Sequence, residues 1–110
     1  MNLTQEYQLV VLQPQGCLDS DNSKTFKEQL ASLVPQPHQL WVIDLSKVDF
    51  IDSSGLAVLV NGFSAARSSG CRLVICNMQA PVRIIFELTQ LSLVFEIFDS
   101  YDAVLDKFNP

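Results

Sequence analysis

Apolar positions along this chain change period several times, and the changes divide it into elements. Tyr7 to Leu12 (YQLVVL) is a β-type run, Pro14-Gln15-Gly16 supplies turn chemistry, and Gly16-Cys17-Leu18 resumes an extended pattern. Two such runs around a short turn predict an opening antiparallel hairpin. Ser20 to Val34 (SDNSKTFKEQLASLV) then sets Phe26, Leu30, Leu33 and Val34 at helical spacing, with Ser20, Asp21 and Ser23 as cap candidates. Pro35 and Pro37 stop that helix. Leu40 to Leu45 (LWVIDL) is almost continuously apolar, as expected of a strand covered on at least one face. Helical periodicity returns over Ser53 to Ser69, ahead of a glycine, Gly70, at the C′ position. Arg72 to Ile75 predicts a short strand, and Ala80 to Leu88 a helix with Pro81 in its first turn. Val94 to Phe98 predicts a last strand, and Ser100 to Phe108 a last helix capped by Ser100.

The resulting order, β-β-α-β-α-β-α-β-α, defines an α/β fold. Crossover helices join parallel strands, so the opening hairpin followed by βα units gives a mixed β-sheet layered with about four helices. At 110 residues the chain is expected to form a single domain over residues 1–110.

Charge narrows the choice of partners. Seven basic residues against twelve acidic ones give a net charge of −5, and no basic run is present. A nucleic-acid partner and an anionic membrane surface both lack the electrostatic footprint they require. The segment MNLTQEYQLVVLQP has no positively charged leader, and no apolar run approaches the ~18–20 residues that span a bilayer. Cys17, Cys71 and Cys76 are odd in number and contain no C-x-x-C pair, which fits reduced, mostly buried thiols. A cytoplasmic location follows as the expectation.

Most catalytic chemistry lacks its parts. The one histidine, His38, sits in a proline-rich turn (PQPHQL), so a Ser-His-Asp triad and a His-Cys metal cluster both run short of residues. No glycine-rich phosphate loop of either common pattern occurs. Asp19, Asp44, Asp49 and Asp52 fall at or near strand ends. A phospho-aspartate receiver site would need an acidic pair directly after the first strand, where this chain has Leu12-Gln13-Pro14. A hydrolase built on Asp19, Asp52 and Ser53 would have no second histidine or other base to activate the serine. The chain is therefore expected not to be an enzyme and to hold no metal or cofactor.

One stretch remains, DFIDSSGL, at residues 49–56. Asp52, Ser53 and Ser54 stand where a strand meets a helix, facing the free N–H groups and positive dipole end of that helix. Gly55 leaves the first turn bare, open to close approach by another protein. Leu56, Leu59, Val60 and Phe63 form the stripe expected to face the sheet. Another side aligns Ser53, Ala57, Asn61, Ser64 and Ser68, without a charge or a bulky group, flanked by Val58, Gly62, Ala65 and Ser69. Solvated helix faces usually carry lysine and glutamate, as Lys24, Lys27 and Glu28 do in the first helix. Spacing alone leaves two readings open: a helix cap worth ~1 kcal/mol, or a functional serine heading a docking face.

The run WVIDLSKVDFIDSSGLAVLV resembles the signature of the STAS domain family, of the anti-sigma factor antagonist type, nearly throughout Val42 to Leu59. Gly16-Cys17-Leu18-Asp19 is similar to the family's G-x-L-D element. The resemblance implies a non-enzymatic binding module controlled by phosphorylation. By position it makes Ser53 the phosphorylated serine, and Asp19 a neighbour that helps engage the kinase. Asp52, Ser54, Gly55, Ala57, Asn61, Ser64 and Ser68 become the partner-binding surface. The implied partners are an anti-sigma factor with serine kinase activity and a histidine-kinase-like ATPase fold, and a PP2C-type phosphatase. The unphosphorylated form would bind the anti-sigma factor and thereby regulate sigma-factor-dependent transcription. The alternative within the resemblance is a STAS phosphoprotein or subunit in another pathway, such as other kinase and phosphatase signalling or ABC-type lipid transport.

Overall fold

The structure is a computed structural model and describes residues 7–108. Six strands, four α-helices and a short 3-10 turn follow one another along these residues. They are β1 (Gln8–Leu12), β2 (Gly16–Leu18), α1 (Lys24–Ser32), β3 (Gln39–Asp44), β4 (Val48–Ile51) and α2 (Ser53–Ser68). Then come β5 (Arg72–Cys76), α3 (Ala80–Leu88), the 3-10 turn (Leu91–Leu93), β6 (Glu96–Phe98) and α4 (Tyr101–Phe108).

The main sheet has the order β1-β3-β5-β6, and β2 and β4 form a separate pair. Every strand pairing among the described residues is parallel. This corrects the expected opening hairpin and, with it, the mixed sheet. β1 pairs with β3 in register Gln8↔Gln39 to Leu12↔Ile43, while β2 leaves the sheet to lie against β4. Pro14-Gln15-Gly16 redirects the chain between two layers; it does not fold it back on itself. Gly16 has φ +79°, and its N–H donates to Lys47 O at 2.8 Å, which ties that redirection to the loop before β4.

β4 is an additional strand that alternation conceals. Gly16 pairs with Val48 but Cys17 pairs with Phe50, so Asp49 is an extra residue opposite the partner strand. Such a bulge shifts the in-out parity. Val48 and Ile51, three apart, are both buried, whereas Asp49 and Phe50 between them are exposed.

Period-2 alternation in β3 sends side chains into two cores. Trp41 and Ile43 join Leu73 and Ile75 beneath α1, α2 and α3, with Phe26, Leu30, Leu59, Val82 and Phe86. Leu40 and Val42 join Val74 and Cys76 on the other face, under Val104 and Phe108 of α4. Burial of both faces explains why LWVIDL is apolar but for Asp44 at the end of the strand.

Helix boundaries follow the sequence closely, with two differences. In α1 only Phe26 and Leu30 are buried; Leu33 caps the helix half-buried, and Val34 lies outside it at 70% exposure. Leu91–Leu93 coils into a 3-10 turn, so the last strand starts at Glu96 and not at Val94. Ser100 caps α4 as expected, its Oγ accepting from Ala103 N–H at 3.0 Å.

Candidate functional site

α2 starts where three pieces of chain meet. Asp52 is its N-cap, with extended φ/ψ, and Oδ1 accepts from Ser54 N–H at 2.9 Å and Gly55 N–H at 3.2 Å. Its carbonyl accepts the first helical bond, from Leu56 N–H at 2.9 Å. The cap is thus the aspartate, and Ser53 is the first helical residue, exposed to solvent. One residue holds the helix end and its neighbour presents a hydroxyl.

The end of β2 is fastened to this turn. Asp52 N–H donates to Leu18 O at 3.1 Å, and Leu18 is the register partner of Ile51, so Asp19 emerges beside Asp52. Asp19 also organises the next turn. Its Oδ1 accepts from Asp21 N–H at 3.0 Å and Asn22 N–H at 2.8 Å, and its carbonyl accepts from Ser23 N–H at 2.9 Å. The G-x-L-D and D-S-S-G-L stretches are therefore adjacent in space.

Gly55 is what lets them meet, which changes the role expected for it. It is buried, and a Cβ there would lie 2.3 Å from Leu18 O and 2.8 Å from both Leu18 Cβ and Ile51 Cγ1. The missing side chain serves close approach within this chain, not approach by a partner. Asp19, Asp52 and Ser54 are half-buried around it, whereas Ala57, Asn61, Ser64 and Ser68 are all exposed along one side of α2. Of the flanking positions, Val58 and Gly62 are buried, Ser69 is half-buried and Ala65 is exposed. Leu56 and Leu59 carry the buried stripe, with Val60 and Phe63 half-buried against the same core.

The helix end offers less to an anion than the sequence suggests. Of the N–H groups the sequence leaves free there, those of Asp52, Ser54 and Gly55 already have acceptors, which leaves only that of Ser53 among the four. Asp52 uses the favourable positions itself.

Other candidates disperse. Asp44 Oδ1 accepts from Ser46 N–H at 2.9 Å and Asn77 Nδ2 at 3.3 Å, and Oδ2 from Gln13 Nε2 at 3.1 Å. Burial works to raise its carboxyl, yet these hydrogen bonds together hold it below the ordinary aspartate value. It fastens loops. Asp49 is exposed on β4 at 3.6 Å from Cys17 Sγ, and burial followed by that carboxylate pushes the Cys17 thiol up. Burial raises the Cys71 and Cys76 thiols to about 11. His38 is exposed at φ 71° in the turn before β3. Among the described residues no group of three His, Cys, Asp or Glu side chains could hold a metal ion. No helix there is long and apolar enough to cross a membrane. Phe50, 47% exposed and opposite Cys17, is a feature of this surface that pattern reading missed. Its signal is the pair Phe50-Ile51, adjacent apolar residues that cannot both face one core.

The domain is thus a parallel α/β fold with a serine at the head of an uncharged, exposed helix face. The chain belongs to the STAS domain family, whose sequence profile matches residues 1–104. It is 30% identical over 94 residues to BtrV of Bordetella bronchiseptica, assigned by name to the anti-sigma factor antagonists, covering 86% of this chain and 81% of that one. It is 32% identical over 82 residues to the anti-sigma-B factor antagonist of Listeria monocytogenes, covering 74% and 72%. In fold it is similar to an anti-sigma factor antagonist from Mycobacterium paratuberculosis, with a TM-score of 0.81 at 22% identity over 93% of this chain and 86% of that one.

Proposed function

We propose that this protein is an anti-sigma factor antagonist, a binding module without catalytic activity whose partner exchange is controlled by phosphorylation of Ser53. The observation that carries the reading is the division of labour at α2. Asp52 caps the helix, so Ser53 is exposed and dispensable to the fold, at the head of an uncharged face. The names of the relatives in Bordetella and Listeria give the direction of the activity. In this reading the partner is a cytoplasmic anti-sigma factor that carries serine kinase activity, and a PP2C-type phosphatase resets the switch. Ala57, Asn61, Ser64 and Ser68 meet the partner, with Asp19 and Asp52 at the rim and Ser54 beside the modified residue.

Phosphoserine brings about −1.5 to −2 charge at neutral pH. With Asp52 adjoining and its N–H donors engaged, that charge stays unpaired on a surface the partner must desolvate. A cost of ~2–4 kcal/mol corresponds to roughly 30- to 1000-fold in affinity. Mass spectrometry of the protein from its own cells tests the site. Phosphate should map to Ser53, vanish in Ser53→Ala, and accumulate when the phosphatase is removed. Ser53→Ala should keep its partner and Ser53→Asp should lose it. Phosphate mapped elsewhere, or an unchanged level of modification in Ser53→Ala, refutes the assignment. Recovery of a transporter in place of a kinase would favour a subunit role.

A further inference from the structure

Beside the uncharged face, α1 and α2 leave a cavity of about 220 Å³ between them. Leu30, Leu33, Trp41 and Val58 form its apolar wall, and Lys27 and Asn61 stand among its lining as the polar groups. The two helices approach each other at Gly62, where an added Cβ would come within 3.2 Å of Leu30 Cδ1. Ala65, small and exposed, keeps the cavity open on the α2 side.

Size and charge restrict the occupant. A cavity of about 150 Å³ holds the six carbons of benzene, so this one accommodates about nine. Its polar contribution is a cation and a neutral amide. Lys27 makes no ion pair within 4.0 Å among the described residues. Its helical neighbours at three and four positions are Ser23, Lys24, Leu30 and Ala31, and Glu28 points along a different side. In a chain of net charge −5, an unopposed ammonium beside an apolar hollow selects an anion with a hydrocarbon body.

We propose that the cavity between α1 and α2 binds a small amphiphilic monocarboxylate, aliphatic or aromatic, of about seven to nine carbons. The hydrocarbon lies against Leu30, Leu33 and Val58, over the buried Trp41, and the carboxylate accepts hydrogen bonds from Lys27 Nζ and Asn61 Nδ2. The proposal needs neither phosphorylation nor a protein partner, so it stands or falls separately from the role assigned to Ser53.

Trp41 is the only tryptophan and lies buried beneath the cavity floor, so its fluorescence serves as a nearby reporter of occupancy. The full chain is titrated with octanoate below its micellar range, with 1-octanol and butyrate as comparators. Amide shifts in a ¹⁵N-labelled sample locate the binding. Octanoate should saturate, moving amides of Leu30, Val58, Gly62 and Ala65, and should bind about two- to fivefold more tightly than 1-octanol. Butyrate should be weaker still. Lys27→Gln should erase the preference over octanol. Ala65→Leu, which fills the mouth from an exposed position, should weaken octanoate at least about tenfold and leave amides outside the cavity in place. Non-saturating shifts, or an octanoate response unchanged in Ala65→Leu, overturn the site. Equal affinity for octanol and octanoate overturns the carboxylate.

Discussion

Replacing Gly55 with alanine sets two effects of opposite sign against each other. In a helix, glycine to alanine ordinarily stabilises by up to about 1 kcal/mol. Here the new methyl would stand 2.3 Å from the carbonyl oxygen of Leu18 and 2.8 Å from Leu18 Cβ and Ile51 Cγ1. None of these is the free end of a flexible side chain. Leu18 O is already committed to Asp52 N–H, and Leu18 and Ile51 are paired across β2 and β4. Relief therefore requires α2 to lift away from the strand pair. Overpacking of this kind costs about 1–3 kcal/mol, occasionally more, and the rigid backbone contact puts Gly55→Ala at the upper end. After the helical gain, a net loss of about 2 kcal/mol remains, or a fall in Tm of roughly 8 °C. Urea unfolding at equilibrium measures it, with an unchanged slope and a lower midpoint as the expected pattern. Because the same shift separates Asp19 from the head of α2, partner binding should weaken as well. A Gly55→Ala protein as stable as the parent, or more so, would show that α2 does not pack against the end of β2 in this way.

Gly62→Ala is the control for that reasoning. The nearest atoms to its added Cβ are methyl ends of Leu30 and Leu73 at 3.2–3.8 Å, which can give way, so its stability should stay within about 0.5 kcal/mol of the parent. Asp52→Ala removes the acceptor for two amides and should cost ~1 kcal/mol in the same assay. Asp52→Asn should recover most of it, and an equal loss in both variants would mean that charge, not capping, is what Asp52 contributes. For the thiols, values of about 11 leave about one molecule in a thousand as thiolate at pH 8 for Cys71 and Cys76. A disulfide reagent at that pH should modify only Cys17 in the folded protein and all three in denaturant. Fast native labelling of two or more thiols would contradict the burial.

What the sequence made legible was periodicity long enough to be heard. Spacing left the cap open between Asp52 and Ser53, but the sixteen residues of α2, with Gly70 behind them, were readable from stripe and C′ glycine. So was the exposed side from Ser53 to Ser68, because a full turn repeats often enough to separate faces. The extended pattern of Gly16 to Leu18 was legible too, but the pairing of β2 and the existence of β4 were hidden for the opposite reason. β2 has three residues and β4 four, and the bulge at Asp49 inverts the alternation that would have identified β4. The turn Pro14-Gln15-Gly16 was ambiguous in principle. Local chemistry specifies a bend, but whether the bend returns to the same sheet depends on Leu18 finding Ile51, a contact between residues thirty-three positions apart. Gly55 was misjudged on the same ground. A bare helical position invites approach from either side, and only the tertiary arrangement shows that β2 has taken it.

The capping arrangement decides what kind of switch Ser53 could be. Had Ser53 been the N-cap, a phosphate on it would compete with its own hydroxyl for the helix amides. Modification would then strengthen or rebuild the first turn, with the signal carried by a change of conformation. Asp52 narrows that route to the N–H of Ser53, since its carboxylate occupies the amides of Ser54 and Gly55 and its own N–H is bound to Leu18 O. A second anion at Ser53 finds one donor left at the helix end, the N–H of Ser53, and a like charge beside it, so solvent is its most favourable surroundings. The free protein would then tolerate the phosphate with little change, and nearly all of its cost would appear where a partner excludes that solvent. Under the proposed function, an aspartate cap next to an exposed serine would keep the fold indifferent to modification and leave binding sensitive to it, which is what a reversible switch on a small domain requires.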